Sequence, residues 1–276
     1  MDFYFRRIYR GRLQLAVFDW AGTTIDFGCL APAAVFIEGF RHKGVSISMD
    51  EARTPMGMEK RAHIETIGAM PAVAARWQQV HGRAMTAEDV DEMYAAFVPH
   101  LLTVLDEYSD LIPGTVETMS TLRARGLKIG ATTGYFEEAM EIVLRAARRQ
   151  GYEPDSSICA TQVPAGRPAP WMIYRTMETL HIFPPETVVA IGDTRPDIAA
   201  GLNAGVWTVG VVQSGNAIGL SQAAFEALPT DEQAARTAAA AAELRAAGAH
   251  EVVDGIWALP TAIERIEERL RAGERP

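Results

Sequence analysis

The stretch AVFDWAGTTIDFG, residues 16–28, decides the fold. It completes an apolar run, residues 13–18, of the length and composition of a strand buried on both faces, and the run stops at an acidic residue, Asp19. Residues 127–132, 187–191 and 206–212 repeat the pattern, with 251–256 a weaker fifth case, and each run ends in a polar or glycine-containing turn. Helical patterns separate them: PGTVETMSTLRARG (113–126), FEEAMEIVLRAARRQG (136–151) and TRPDIAAGLNAG (194–205), each closed by a glycine. Strand and helix in alternation predict an α/β fold with a doubly wound, Rossmann-like parallel sheet.

The spacing departs from this once. From Asp19 to Thr133 is far more than the roughly thirty residues of one βαβ unit. The intervening chain has helical spacing in APAAVFIEGFRHKG, MDEARTPMG, EKRAHIETIGAM, PAVAARWQQVHG and TAEDVDEMYAAFVPHLLTVLDEY, and no convincing strand. The expected division is an α/β core of residues 1–27 and 107–276 with a helical domain, 28–106, inserted after the first strand. The alanine-rich EQAARTAAAAAELRAAGAH is most simply a surface helix.

Composition narrows the function. With 276 residues, 48% of them hydrophobic, and a mean hydropathy near zero, the chain can bury a proper core as a globular protein. No apolar run approaches the roughly 20 residues of a membrane helix, and the arginines of MDFYFRRIYRGR break any signal-peptide core, so a cytoplasmic location without membrane attachment is expected. Two cysteines, Cys29 and Cys159, make neither a disulfide framework nor a zinc-finger spacing. A net charge of −9 argues against a nucleic-acid partner, while an anionic small substrate is compatible if cations converge locally.

In open parallel sheets, ligands bind outside the carboxyl ends of the strands. Asp19 stands at one such end, Asp193 at another, and TTG (132–134) at a third, where it brings hydroxyls and backbone N–H groups. Two carboxylates a few ångströms apart repel unless a hard cation lies between them, and Mg2+ takes such oxygen ligands. The plainer alternative is that each aspartate caps the helix that follows.

Four motifs in order, DWAGTT from Asp19, TTGY ending in Tyr135, GRP with Arg167, and GDTRPD from Gly192 to Asp197, resemble those of the haloacid dehalogenase superfamily of phosphoryl-transfer enzymes. One class of that superfamily carries a cap domain where the helical insertion falls here. The resemblance implies that Asp19 is a nucleophile that becomes an aspartyl phosphate, and that Thr133, Gly134 and Arg167 hold the phosphoryl group. Asp193, Asp19 and the backbone carbonyl of Ala21 would ligate Mg2+, with Asp197 supporting that shell.

Most phosphatases of the superfamily carry an acid two residues after the nucleophile to protonate the leaving oxygen. Here Ala21 holds that place, so ordinary ester hydrolysis lacks its acid. The insertion offers a substitute in PMGMEKRAHI, where Lys60 and His63 share a helix face. A partly neutral lysine can form an imine with an aldehyde, and the protonated imine is an electron sink. A phosphonate one carbon from an aldehyde could then lose its carbon–phosphorus bond, the carbanion being drawn off as an enamine. FDWAGTTIDFGCLAP, PMGMEKRAH and VPAGRPAPWM extend the resemblance to the branch of the superfamily that cleaves carbon–phosphorus bonds. That likeness implies Lys60 as the Schiff-base residue, His63 as its proton-transfer partner, and Met56, Gly57, Cys29 and Tyr135 as site-lining residues. It also implies a homodimer joined through the cap helices. The rivals are a phosphatase or phosphomutase acting on a small phosphate ester, and a non-enzymatic member of the fold. Taken alone, Lys60 in a charged stretch reads as a solvated helix face, and Arg167 as a surface arginine beside a proline turn.

Overall fold

The computed structural model describes residues 9–276, so the first eight residues of MDFYFRRIYRGR lie outside the described part. β1 (Leu15–Asp19) leads into α1 (Leu30–His42), α2 (Met49–Arg53), α3 (Lys60–Ala69), α4 (Pro71–His81) and α5 (Ala87–Val104). The chain continues through α6 (Thr115–Ala124), β2 (Lys128–Thr133), α7 (Glu137–Arg149), β3 (Ser156–Cys159), α8 (Trp171–Leu180) and β4 (Val188–Gly192). It ends with α9 (Arg195–Ala204), β5 (Trp207–Val211), α10 (Gln222–Glu226), α11 (Thr230–Ala246), β6 (Glu251–Val253) and α12 (Leu259–Ala272).

All six strands pair in parallel in the order β3-β2-β1-β4-β5-β6. The chain steps outward from β1 to β3, then returns to β4 on the other side of β1, so strand order reverses between β1 and β4. A crevice opens at the carboxyl ends of strands at such a reversal. Asp19 ends β1 opposite Thr132 of β2, and Asp193 follows the last residue of β4. The sheet thus gathers separate stretches of sequence at one edge.

Period-two alternation sorts the buried faces. Leu15 and Val17 of β1 join Ile173 and Met177 of α8 and Ala200 and Ala204 of α9 on one face. Ala16 and Phe18 point to the other, into a larger core that runs on through Trp20, Phe36, Phe40, Ile64 and Trp77 into the helical insertion. α1 and α3 both pack on α5. Among the described residues no strand lies between β1 and β2, as expected, apart from isolated bridges linking Ile25 to Ala21 and to Leu111.

Local chemistry fixes the entry into the insertion. Asp26 and Cys29 adopt left-handed conformations (φ 52° and 54°) around Gly28 (φ 88°), whose missing side chain leaves room for the Leu220 backbone. Such conformations cost a side-chain-bearing residue roughly 1–2 kcal/mol. Compensation comes from the Asp26 carboxylate, which accepts the Leu30 and Ala31 amides at 2.9 and 3.1 Å and starts α1. Capping boxes start α2 (Ser48 with Glu51), α5 (Thr86 with Asp89) and α9 (Thr194 with Asp197). α2 stops short of the span of MDEARTPMG, because Pro55 has no N–H to continue the ladder. Four of the five expected strands form within a residue or two and the weaker fifth stops at Val253, three residues short, but β3, α8, α10 and α12 carry no expectation from the sequence. β3 is a four-residue edge strand pairing only with β2 and half-buried at its centre, so it has no continuous apolar run to betray it. No described helix is long and apolar enough to cross a membrane.

Candidate active site

Asp19, Asp193 and Asp197 are all buried, and each offers a carboxylate oxygen within 4.8 Å of the others'. Asp193 is held from two sides: Thr23 Oγ1 donates to its Oδ1 at 3.0 Å and the Asn216 amide to its Oδ2 at 2.7 Å. Asp197 Oδ2 accepts the Thr194 amide at 3.0 Å and the Thr194 hydroxyl at 2.5 Å. Neither Asp19 nor Asp193 caps a helix, since Thr194 is the cap of α9 and the Asp26 carboxylate takes the first amides of α1. The capping alternative therefore fails for both aspartates to which it applied, while Asp197 takes part in the capping box of α9.

Arg167, buried although it looks like a surface residue in sequence, ties this cluster together. Its Nη1 stands 2.7 Å from Asp19 Oδ1 and 2.7 Å from Asp197 Oδ1, the latter an ionic contact outside hydrogen-bond geometry. Its Nη2 donates to the Thr132 carbonyl at 3.0 Å and hydroxyl at 2.7 Å. Thr133 Oγ1 accepts the Tyr135 amide at 3.1 Å, which fixes the turn carrying Gly134.

One guanidinium does not balance three buried carboxylates. Burial pushes Asp19 up to about 6, against the pull of Arg167 and with a further push from Asp197. Burial, Asp197 and Asp19 raise Asp193 well above the usual carboxylate range. Oxygen donors crowded at this cost are what a hard divalent cation stabilises, so the residues present fit Mg2+.

The helical insertion closes over this edge. Lys60 is the first residue of α3 and is buried; its Nζ lies 4.9 Å from the centre of the Tyr135 ring and 5.8 Å from that of Phe36. Burial lowers its pKa from the usual ammonium value, and Arg167 lowers it further, while Cys29 and Asp19 oppose them. The positive end of the α3 dipole acts in the lowering sense too. Asp19, Ala21, Cys29, Met56, Gly57, Lys60, Thr133, Gly134, Tyr135 and Arg167 all line one cavity, leaving about 20 Å³ of free space, room for about one water. Burial raises the Cys29 thiol and the Tyr135 hydroxyl well above their ordinary values, so both are neutral.

His63 is not on that lining. Its ring stacks on Phe36 with centroids 3.9 Å apart, and its Nε2 is 2.8 Å from the Ala52 carbonyl. A carbonyl only accepts, so Nε2 carries the hydrogen and Nδ1 is a buried acceptor with no partner. Burial, then Lys60, holds the ring well below its usual pKa, in the neutral form.

Several residues at the site escape a sequence reading: Thr23 and Asn216 on Asp193, and Arg53, which grips the loop carrying Asn216; Thr132, read as part of TTG at a strand end, holds Arg167. Hydroxyls and amides beside strand ends carry no periodic signal, although Thr132 and Thr194 stand inside the quoted motifs. A second cavity, about 250 Å³, reaches Asp193 from another side and shares Met56 and Thr194 with the first. A larger one, about 480 Å³, lies among Phe183, Pro184 and Gly205, at the amino ends of β4 and β5, away from this chemistry.

A model of the haloacid dehalogenase-like hydrolase family matches residues 13–205, and a second, described as haloacid dehalogenase hydrolase-like, matches 164–257. A phosphonoacetaldehyde hydrolase of Nitratidesulfovibrio vulgaris is 46% identical over 270 residues, covering 98% of this chain and 96% of that one. One from Salmonella typhi is 45% identical over 267 residues, covering 96% and 99%. The crystal structure of a phosphonoacetaldehyde hydrolase-like protein from Oleispira antarctica superposes with a TM-score of 0.97 at 39% identity, covering both chains completely.

Proposed function

Because the chain belongs to the haloacid dehalogenase-like hydrolases, with phosphonoacetaldehyde hydrolases among its full-length relatives, we propose that it hydrolyses phosphonoacetaldehyde to acetaldehyde and phosphate. The observation that carries this reading is the single cavity lined by both Asp19 and Lys60, with only a methyl group at residue 21. A nucleophile with no acid beside it needs a leaving group that requires no protonation, and an imine-linked carbon is one.

In this mechanism the Lys60 amine adds to the aldehyde and water leaves, giving a protonated imine. Starting from the Lys60 ammonium, no proton is lost overall: one passes through His63 Nδ1, one helical turn on, and is returned with a second from the attacking nitrogen to the carbonyl oxygen, which leaves as that water. An Asp19 oxygen attacks phosphorus; the carbon–phosphorus bond breaks, and its electron pair moves into the imine to give an enamine. Protonation at carbon restores an iminium that water hydrolyses to acetaldehyde, freeing Lys60, while a second water clears the aspartyl phosphate. Arg167 and the Gly134 amide hold the phosphoryl oxygens, with Thr133. Asp19, Asp193 and the Ala21 carbonyl would hold Mg2+, which supplies neutralisation of the phosphoryl charge. Asp197 orients that set through Thr194 and Arg167.

We further assign residues 28–106 to a cap that must lift for substrate to enter, since so little free space is left, and that excludes water from the imine once closed. A homodimer through the cap helices and a cytoplasmic location complete the reading; Cys29 and Cys159, both unpaired, suit a reducing compartment.

The test is to incubate the protein with phosphonoacetaldehyde and borohydride and map the reduced adduct by mass spectrometry. A label on Lys60 is expected. No label anywhere, together with phosphate-ester hydrolysis that survives Lys60→Ala, would return the chain to the ordinary phosphatases.

A further inference from the structure

The Asp193 carboxylate is positioned in part by the backbone of Asn216, and Asn216 is itself clasped by the helical insertion. Arg53, the last residue of α2, is buried; its Nη1 donates to the Gly28 carbonyl at 2.7 Å, to the Asn216 carbonyl at 3.2 Å and to Asn216 Oδ1 at 3.1 Å. Its Nη2 donates to the Gly219 carbonyl at 3.2 Å. The grip is returned, since Asn216 Nδ2 donates to the Arg53 carbonyl at 3.2 Å. Gly219, left-handed at φ 63°, leaves the space that the guanidinium fills. Only a planar fork of donors can serve carbonyls on two separate segments, at Gly28 and at residues 216–219, at once.

We infer that Arg53 is a positioning residue that couples closure of the helical insertion to the placement of Asp193, and thereby to the protein's affinity for a divalent cation. Lifting the insertion withdraws the guanidinium from Asn216 and Gly219 together, and the loop that presents the Asn216 amide to Asp193 Oδ2 loses its outer support. By reciprocity, a cation that draws on a well-placed Asp193 favours the closed arrangement, and closure tightens the cation. The inference rests on the reading above in taking Asp193 as a cation ligand and residues 28–106 as a cap that lifts.

Simple electrostatics predicts the opposite sign, which makes the coupling testable. Arg53 is a positive charge near the site, so its removal should tighten a cation by Coulomb's law alone. Coupling through Asn216 predicts weakening instead. Mg2+ binding is measured by calorimetry on the substrate-free, full-length chain and on R53A, R53K, N216A and R53A/N216A, with a melting curve for each. The expected result is a Kd about fivefold or more weaker in R53A. N216A should weaken in the same direction, and the double variant should be no weaker than the worse single one. R53K keeps the charge without the fork and should behave like R53A. Should R53A not fold, N216A, in which Arg53 retains its backbone acceptors, carries the test by itself. Wild-type affinity in a folded R53A or in N216A, or tighter binding in either, overturns the coupling. A wild-type chain that binds no Mg2+ overturns the cation assignment instead.

Discussion

Arg167 Nη1 stands 2.7 Å from a carboxylate oxygen of Asp19 and 2.7 Å from one of Asp197, with every partner buried. One cation therefore serves two acids, one at the end of β1 and one in the first turn of α9, and its loss strands both. Arg167→Ala should lower stability at neutral pH by about 3–5 kcal/mol, the usual consequence of leaving buried charge unpaired. Without the guanidinium the buried Asp19 carboxyl holds its proton more strongly still, so the loss should shrink as the pH falls and Asp19 becomes neutral. Phosphate release should drop by roughly 10² to 10³, as for removal of a transition-state donor. Denaturation midpoints at pH 5 and pH 8, alongside a phosphate assay, check both; equal destabilisation at the two pH values would mean that Arg167 acts by packing.

Without a bound cation, stability should fall as pH rises from about 4 to about 6. The folded value of Asp19 is raised from 3.8 to about 6, so in that window the native state holds a proton that the unfolded chain has shed. A shift of this size is worth about 3 kcal/mol, present below the unfolded value and lost above the folded one. Asp26, also raised to about 6 by burial, adds to the slope but ligates nothing. Mg2+ should therefore raise the melting temperature at pH 7.5 and have little effect at pH 4.5, and it should recover only part of the loss. An equal effect of Mg2+ at both pH values would count against the aspartate cluster as its site.

The core was legible because its signals are local. A buried parallel strand must be a continuous apolar run, and once β1, β2 and β4 are placed, Asp19, Thr133 and Asp193 can only meet at the carboxyl edge. Lys60 and Gly57 were legible as members of a quoted motif, not from their spacing. Arg53 was legible in neither way. In DEAR it resembles a solvated helix face, and its partner Asn216 lies 163 residues further on, in a loop with no periodicity. Likewise, nothing local distinguishes the His63 ring, buried against Phe36, from a histidine lining the cavity.

Gly57, left-handed at φ 91°, lies so close to Thr194 that a Cβ there would collide with the threonine hydroxyl. Gly134 is pressed in the same way against the Met58 backbone, so the loop before α3 seats directly on two loops of the sheet edge. Gly57→Ala should hold this seam apart while leaving both hydrophobic cores intact. The expected result is a fall in kcat/KM of about tenfold or more, equivalent to some 1.4 kcal/mol of transition-state stabilisation, with stability lowered by no more than the roughly 1–2 kcal/mol of left-handed strain. A seam that matters only for stability would give the reverse.

Lys60 should form its adduct at a pH where an ordinary lysine is still protonated. Burial, first, and then Arg167 favour the neutral amine, against Cys29 and Asp19, and the net direction is downward from 10.5. Because only the neutral amine attacks, the rate of borohydride-trapped adduct should rise with pH and level off below 10.5. Lys60→Arg, which keeps the charge but cannot make the imine, should give no adduct at any pH. A trapping rate still climbing at pH 10.5 would show that the amine is not perturbed in the direction its surroundings favour.

Ala21 lines the cavity with Asp19 and Lys60, so an acid placed there would face a substrate's leaving group. In an imine mechanism that acid is superfluous: the electrons released by the breaking bond go to the Lys60 nitrogen. In ester hydrolysis it is the missing part, since an alkoxide departs poorly without a proton, and a positioned general acid is worth roughly 10² to 10⁴. Ala21→Asp should therefore raise hydrolysis of a small phosphate monoester by about 10²-fold, the low end because its partners were not built for it. The added carboxylate also joins three that are already crowded, so the variant should bind Mg2+ more tightly than the wild type does, and carbon–phosphorus cleavage should not improve. If instead the variant cleaved phosphonoacetaldehyde faster, the departing carbon would be taking a proton from residue 21, and Lys60 would not be the electron sink.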